Sequence, residues 1–154
     1  MRFPDGELAS YSPDGNQLVY VTKITESYPF KRYRGGYASD LIRFDLRDNT
    51  SERITENPAI DGKPAWVDNT IYFISDQGKD MRTNIWKYNT NTDATSQLTD
   101  FDDFDITYIS AGQEDLVFEA GGNLYLMDLE TEEYRQVDVT VISDLSPRSH
   151  ARWM

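Results

Sequence analysis

The feature that most constrains the fold is an internal repeat, in which one short pattern recurs three times along the 154-residue chain. Each copy contains a run that mixes apolar and polar residues, and a second aliphatic residue follows thirteen positions after the first. These aliphatic pairs are Leu41 and Ile54, Ile85 and Leu98, and Leu124 and Val137. The stretches between them are polar and turn-forming, so each copy predicts a strand, a turn and a further strand at constant spacing.

A second apolar run lies upstream of each pair and follows a turn. The three runs are residues 18–21, 71–74 and 116–118, and another strand candidate ends before each turn, near Tyr11, Trp66 and Tyr108. The unit is therefore four short strands repeated at about 39–53 residues, which is the period of a propeller blade. Such a blade has two apolar faces, and stacking against neighbouring blades buries them.

The sequence thus predicts an all-β fold of three four-stranded antiparallel β-propeller blades. We place the blades at about residues 5–57, 58–100 and 101–137, and we interpret residues 138–154 as a linker or tail. The blades differ in the joint between their second and third strands: residues 22–39 form a long insert in the first, and the later joints are shorter. A long insert at this edge is where a propeller often carries function, although a tolerated surface loop is equally consistent.

Composition narrows the function classes. Ten Tyr, seven Phe and three Trp favour strands, and the net charge of −12 argues against a nucleic-acid partner. The absence of cysteine excludes disulfides and thiolate metal sites. No apolar run approaches the ~18–20 residues needed to cross a bilayer, so no membrane association is expected. The first residues lack the apolar core of a signal peptide, and we expect a cytoplasmic location.

Four segments resemble tricorn-type serine proteases. Residues 31–36 (KRYRGG) are similar to the K-x-Y-R-G-G segment of that family, and the match continues in order and spacing through residues 71–76, 99–104 and 121–125. The resemblance implies that the chain is the C-terminal half of the six-bladed propeller with which these proteases begin. It would then hold none of the family's catalytic residues and would form part of a channel or gate for peptides, as one section of a longer serine peptidase.

The one basic cluster of the acidic chain is Lys31, Arg32 and Arg34, within the long insert. Guanidinium groups hold carboxylates with paired hydrogen bonds, so the cluster is a candidate site for a peptide carboxylate. The alternative, which we favour, is that these cations pair with nearby Asp or Glu side chains and brace the insert. Gly35 and Gly36 follow the cluster, and we expect them to serve a turn that requires positive φ.

An acidic cluster follows the second repeat and contains Asp100, Asp102, Asp103 and Asp105. Carboxylates so closely spaced can bind a hard cation, which makes Asp102, Asp103 and Asp105 weak metal candidates, and residues 76–80 invite the same idea. The spacing is not that of an EF-hand loop, so an acidic turn is the better interpretation. We therefore predict no metal and no cofactor.

The chain is not expected to be an enzyme by itself. Its one histidine, His150, lies in the terminal tail, and no nucleophile elbow or phosphate-binding loop occurs. Two alternatives to the protease fragment remain. Three blades leave two open faces, so two copies could close a six-bladed ring as a self-assembling binding module. A TolB-like propeller shares the Ser12–Gly15 turn pattern, although the segment at 31–36 weighs against it. The predicted partners are accordingly a second copy, the rest of a parent protease, or peptides.

Overall fold

The computed structural model describes residues 9–23 and 31–140, which form twelve β-strands and no helix. Among these residues there is accordingly no helix long and apolar enough to cross a bilayer. The first sheet contains β1 (Ala9–Tyr11), β2 (Gln17–Val21), β3 (Leu41–Asp45) and β4 (Thr50–Arg53). The second contains β5 (Asp61–Val67), β6 (Thr70–Ser75), β7 (Asn84–Asn89) and β8 (Ala94–Gln97). The third contains β9 (Ile106–Ala111), β10 (Asp115–Ala120), β11 (Asn123–Asp128) and β12 (Tyr134–Val137).

Each sheet is antiparallel and its strands lie in chain order, which confirms the prediction of three four-stranded blades. The residue boundaries proposed for the blades, including the tail from 138, stay a prediction. The third sheet differs in one detail: β9 continues to Ala111 instead of ending near Tyr108. Ala111 still pairs with Leu116, and the chain turns only at Gly112, whose N–H donates to the Asp115 carbonyl.

The thirteen-residue spacing of the repeat is the register of a hairpin between the third and fourth strands. The Ile54 N–H donates to the Leu41 carbonyl at 2.9 Å, and Leu98 donates to Ile85 at the same distance. In the third sheet Leu124 pairs directly with Val137. The hairpin turn of each copy has a residue with positive φ at the same position: Asn49 (58°), Asp93 (56°) and Glu132 (61°). The spacing is constant in the sequence because the three hairpins have the same turn geometry.

The continuous apolar runs lie on the second strands because both faces of those strands are buried. In β6, Ile71 and Phe73 pack with Val19 and Leu41 of the first sheet. The alternating residue Tyr72 packs on the other side, in a cluster with residues of the third sheet. Side chains alternate between the faces of a strand, so an uninterrupted apolar run suits a strand that is covered on both sides.

The first strands lie closest to one another and the fourth strands lie outside. β1 contacts β5, and β5 contacts β9, whereas β4 and β8 are exposed along their whole lengths. In an antiparallel sheet in chain order, the joint after the second strand and the joint after the fourth strand fall at the same end. The long insert therefore shares one end of the molecule with residues 54–60 and 98–105, and this end carries the site described next.

Candidate functional site

Arg34 of the long insert is bound to Asp76, the residue that follows β6 in the second sheet. Its Nη1 donates to Asp76 Oδ1 at 3.0 Å and to Oδ2 at 2.9 Å, and Nη2 donates to the Asp76 carbonyl oxygen at 2.7 Å. Asp76 is buried, and its Oδ1 also accepts a hydrogen bond of 2.8 Å from the Ile60 N–H. The insert, the connection between the first two sheets, and the end of β6 are thus joined at one carboxylate.

Lys31 and Arg32 reach further, to Asp105 at the start of the third sheet. Lys31 Nζ lies 3.2 Å from Asp105 Oδ2 and Arg32 Nη2 lies 3.4 Å from Oδ1. Oδ1 also accepts a hydrogen bond of 3.1 Å from the Thr83 N–H. Partial burial raises the pKa of Asp105, but the Thr83 and Lys31 hydrogen bonds and the two positive charges outweigh burial and hold the pKa below its usual range.

The structure therefore divides the predicted basic cluster between two partners. Arg34 faces Asp76, while Lys31 and Arg32 meet on Asp105, 74 and 73 residues away in the sequence. These ion pairs are of the kind expected if the cations brace the insert by pairing with nearby acids. They connect the insert, which belongs to the first sheet, with the second and third sheets. The role of the three cations as a peptide-carboxylate site stays a prediction.

The expectation for Gly35 and Gly36 was wrong. Neither glycine has positive φ; in this segment it is Arg32 that has one, at 57°. A Cβ atom at Gly35 would overlap the phenol ring of Tyr33, so a larger residue there has to displace that ring. Gly36 has open space around it. The first glycine thus permits a close approach of side chain to backbone, which sequence alone does not distinguish from a turn.

A cavity of about 210 Å³ lies beside these ion pairs and is shared by all three sheets. Its apolar lining comes from Val21, Ile60, Ile74, Met81 and Ile106, and its cationic lining from Lys23, Lys31, Arg32 and Lys63. Asp76 and Asp105 line it too, and both are engaged by the insert. The cavity lining has four cationic and two acidic side chains, whereas the chain as a whole has a net charge of −12.

Sequence reasoning missed Lys63. It sits at an irregularity of β5, where pairing with β6 shifts register between Gly62 and Ala65, and its φ is 48°. The bulge directs the Lys63 side chain towards the cavity, with Nζ 5.3 Å from the centre of the Tyr108 ring. The available signal was Gly62–Lys63–Pro64 inside an otherwise strand-like run, because proline and glycine within a strand mark a bulge.

The weak metal candidates do not converge. Asp102 and Asp103 are exposed, while Asp105 is held by the cations of the insert. Within residues 9–23 and 31–140, no group of three acidic or histidine side chains is close enough to hold a metal ion. His150 lies outside the described residues.

Asp61, at the start of β5, is the one fully buried acid among the residues that the structure describes. Its carboxylate accepts a hydrogen bond of 2.9 Å from Asn57 Nδ2, and its carbonyl accepts one of 2.5 Å from Ser39 Oγ. Burial raises the pKa of Asp61 to about 6, although hydrogen bonds from Ser75, Thr55 and Asn57 oppose the rise. Asp61 bonds the first sheet to the second, and it does not line the cavity.

Comparisons with known proteins identify the family of the propeller. Residues 1–133 match the family model of the tricorn protease N-terminal β-propeller domain. The chain is 25% identical to the tricorn protease of Thermoplasma volcanium over 130 residues, which is 84% of this chain and 12% of that protein. It thus spans about an eighth of the length of that relative.

Solved structures agree on the fold. A crystal structure of the tricorn protease superimposes with a TM-score of 0.71 at 21% identity, covering 86% of this chain and 13% of that one. A putative TolB from Agrobacterium tumefaciens superimposes with a TM-score of 0.66 at 16% identity, covering 82% and 47% respectively. Likeness at such identities establishes a shared propeller architecture and no more.

Proposed function

The chain belongs to the family of tricorn protease N-terminal β-propeller domains, and from this premise we propose that it forms part of a passage for peptides. Propeller domains of this family are a non-catalytic part of a peptidase, so the chemistry lies elsewhere in a parent protein. We propose that this parent is a serine peptidase acting on oligopeptides. A cytoplasmic location stays a prediction.

The cavity beside the long insert is the observation that supports a peptide ligand. Its volume of about 210 Å³ is below the ~300–1,000 Å³ of sites that enclose a whole small molecule. It suits one side chain or one chain end of a longer ligand. The apolar lining fits an aliphatic residue, and the lysine and arginine side chains fit a carboxylate. A peptide that ends in an aliphatic residue with a free carboxylate combines both features.

Fluorescence anisotropy with two short labelled peptides tests this proposal. Both end in leucine, one with a free carboxylate and one with an amide. We expect the free acid to bind more tightly, and Lys63→Gln to weaken its binding roughly two- to fivefold, as the loss of one partly exposed ion pair implies. Lys79→Gln is the matched control, because Lys79 is exposed and does not line the cavity. Equal binding of acid and amide, or equal effects of the two substitutions, would contradict the proposal.

The peptide should also remain intact throughout, since the chain is proposed to be non-catalytic. The TolB-like alternative now rests on fold likeness alone, because the family match covers residues 1–133. The carboxylate-dependence of peptide binding separates the two readings: a preference for the free acid favours a peptide passage.

A further inference from the structure

Among residues 9–23 and 31–140, seven non-glycine residues have positive φ, a conformation that residues with a Cβ atom rarely adopt. Four of the seven lie in the turns between neighbouring strands: Asn49, Asp68, Asp93 and Glu132. Asparagine and aspartate tolerate this conformation better than most residues, so tight turns explain this group. The remaining three are long side chains outside such turns: Arg32, Lys63 and Met81.

These three residues come from separate parts of the chain and meet at one place. Arg32 belongs to the long insert, Lys63 to the bulge of β5, and Met81 to the joint between β6 and β7. All three line the cavity beside the insert. Strained backbone lowers stability and is concentrated at functional sites, where the surrounding structure holds it in place. Its concentration at one cavity indicates that these side chains are placed there for binding.

The third sheet shows that a blade of this kind does not require the strain. Its first strand, β9, also shifts register against β10, but no residue of β9 has positive φ. Its joint between β10 and β11 is made by Gly121 and Gly122, which adopt positive φ readily because glycine has no Cβ atom. In the second sheet the corresponding features carry Lys63 and Met81 instead, so their strain belongs to the cavity and not to the fold.

Met81 lies outside the packed core of the sheets. It belongs to neither of the two buried clusters, and it is 44% exposed. The other apolar residues of the cavity lining are buried or half-buried: Val21, Ile60, Ile74 and Ile106. Met81 is therefore the apolar residue of the lining that is most accessible to a ligand.

The backbone around Met81 is held on both sides. Its N–H donates to the Gly78 carbonyl at 3.0 Å, which closes a turn. The Thr83 N–H donates to Asp105 Oδ1 at 3.1 Å, and the Thr83 carbonyl accepts a hydrogen bond of 2.8 Å from the Ile106 N–H. The backbone is thus fixed while the side chain can adjust, and the flexible thioether of methionine adapts to apolar groups of different shape.

We propose that Met81 is the residue that selects the apolar side chain of the ligand, while the cationic side chains beside it bind the carboxylate. This assignment rests on the proposed function, in which the cavity binds a peptide that ends in an aliphatic residue with a free carboxylate. The left-handed backbone at Met81 presents the thioether at the cavity before any ligand arrives, so that binding does not have to reorganise the joint. A preference for a large apolar terminal residue should therefore depend on Met81.

A comparison of glycine with alanine tests the strain. Met81→Gly and Met81→Ala both remove the thioether, but only alanine keeps a Cβ atom in the left-handed conformation. We expect Met81→Gly to have the higher urea midpoint. Lys79 is the matched control in the same joint, because its φ is not positive, and there the glycine variant should have the lower midpoint. A lower midpoint for Met81→Gly than for Met81→Ala would overturn the proposal.

Fluorescence anisotropy with four labelled peptides tests the selectivity. The peptides end in leucine or alanine, and each has either a free carboxylate or an amide. Wild type should prefer leucine, and Met81→Gly should lower that preference roughly threefold, since less apolar surface is buried, while leaving the preference for the free acid unchanged. Lys63→Gln should have the converse effect. Circular dichroism checks that each variant folds, and Met81→Gln, which keeps the length of the side chain but makes its end polar, repeats the test.

The outcomes separate this assignment from the proposed function. Equal binding of acid and amide by wild type contradicts the proposed function, while the leucine preference and the urea midpoints still test the role of Met81. A Met81→Gly variant that keeps the full leucine preference, or that loses the preference for the free acid instead, would overturn the assignment. Failure of all four peptides to bind would contradict both.

Discussion

Arg34 and Asp76 are 42 residues apart in the sequence and share three hydrogen bonds, two to the carboxylate and one to the main-chain carbonyl. The carboxylate is almost fully buried, while the guanidinium retains access to solvent. Because the same carboxylate accepts the Ile60 N–H, this contact fixes the insert, the connection between sheets, and the end of β6 together. Removing this contact should therefore lower the stability of the whole domain and not of the insert alone.

We expect Arg34→Ala to lower the free energy of unfolding by roughly 2–3 kcal/mol, because it leaves a buried carboxylate without its cation. Urea denaturation followed by tryptophan fluorescence measures this. Arg47→Ala is the control, since Arg47 is exposed and pairs with Asp45 within a single hairpin. The loss in Arg47→Ala should be clearly smaller than the loss in Arg34→Ala, because water screens an exposed ion pair. Equal losses in the two variants would show that the Arg34 contact does not brace the sheets.

Asp105→Asn should release the first part of the insert from the third sheet. The substitution removes the charge that holds Lys31 and Arg32 but keeps an oxygen that can accept the Thr83 N–H. Hydrogen exchange should become faster in residues 31–36, and stability should fall by about 1 kcal/mol, because Lys31 is largely exposed. Asp103→Asn, on an exposed neighbour, should change neither quantity.

The pH dependence of the Asp105 contact has a definite sign. The pKa of Asp105 is lower in the folded chain than in the unfolded chain, so the folded state favours the ionised carboxylate. This contribution is present above pH 4 and is lost as pH falls below that value. The loss of stability caused by Asp105→Asn should therefore be smaller at acid pH than at neutral pH. It should also be smaller in 1 M salt, where the Debye length falls to about 3 Å and ion pairs are screened. A difference that is the same at all pH values would argue against the ion pairs.

Asp61 should act in the opposite direction. Burial raises its pKa to about 6, above the value of 3.8 for a free side chain, so the folded state binds the proton more tightly. The contribution of Asp61 to the free energy of unfolding should be greatest below pH 4. It should fall by about 3 kcal/mol as the pH rises from 4 through 6. Asp61→Asn should remove that fall, while Asp115→Asn, on an exposed acid, should keep it. Unfolding in urea between pH 4 and 8 gives the comparison; an unchanged slope in Asp61→Asn would refute the assignment.

Gly35→Ala and Gly36→Ala form a matched pair at adjacent positions. A Cβ atom at Gly35 overlaps the Tyr33 phenol, so this variant must displace the ring, at a cost of about 1 kcal/mol. A Cβ atom at Gly36 meets nothing within 4 Å. Gly36→Ala should then be neutral or stabilising by about 0.5 kcal/mol, through lower entropy of the unfolded chain. Thermal unfolding distinguishes the two, and equal midpoints would mean that the close approach of Tyr33 is unimportant.

The repeat made much of the fold predictable. The thirteen-residue interval between Leu41 and Ile54 is a local property, because a hairpin register depends only on the strand lengths and the turn between them. The continuous run at Ile71–Phe73 correctly indicated a strand that is covered on both faces. The end of β9 was less predictable. Its last residue, Ala111, pairs with Leu116, but Ser110, Ala111 and Gly112 are small residues that are equally typical of a turn.

The sequence by itself determined the number of sheets, the order of their strands and the family, since each follows from residues close together in the chain and repeated along it. Only the tertiary structure decided which carboxylate each cation of the insert meets, how Lys63 reaches the cavity, and that the Tyr33 ring packs against Gly35. Lys31 and Asp105 are 74 residues apart, and nothing in the spacing of charges selects one acid among 27. Ion pairing depends on distance in space, and that distance is set by how the sheets stack.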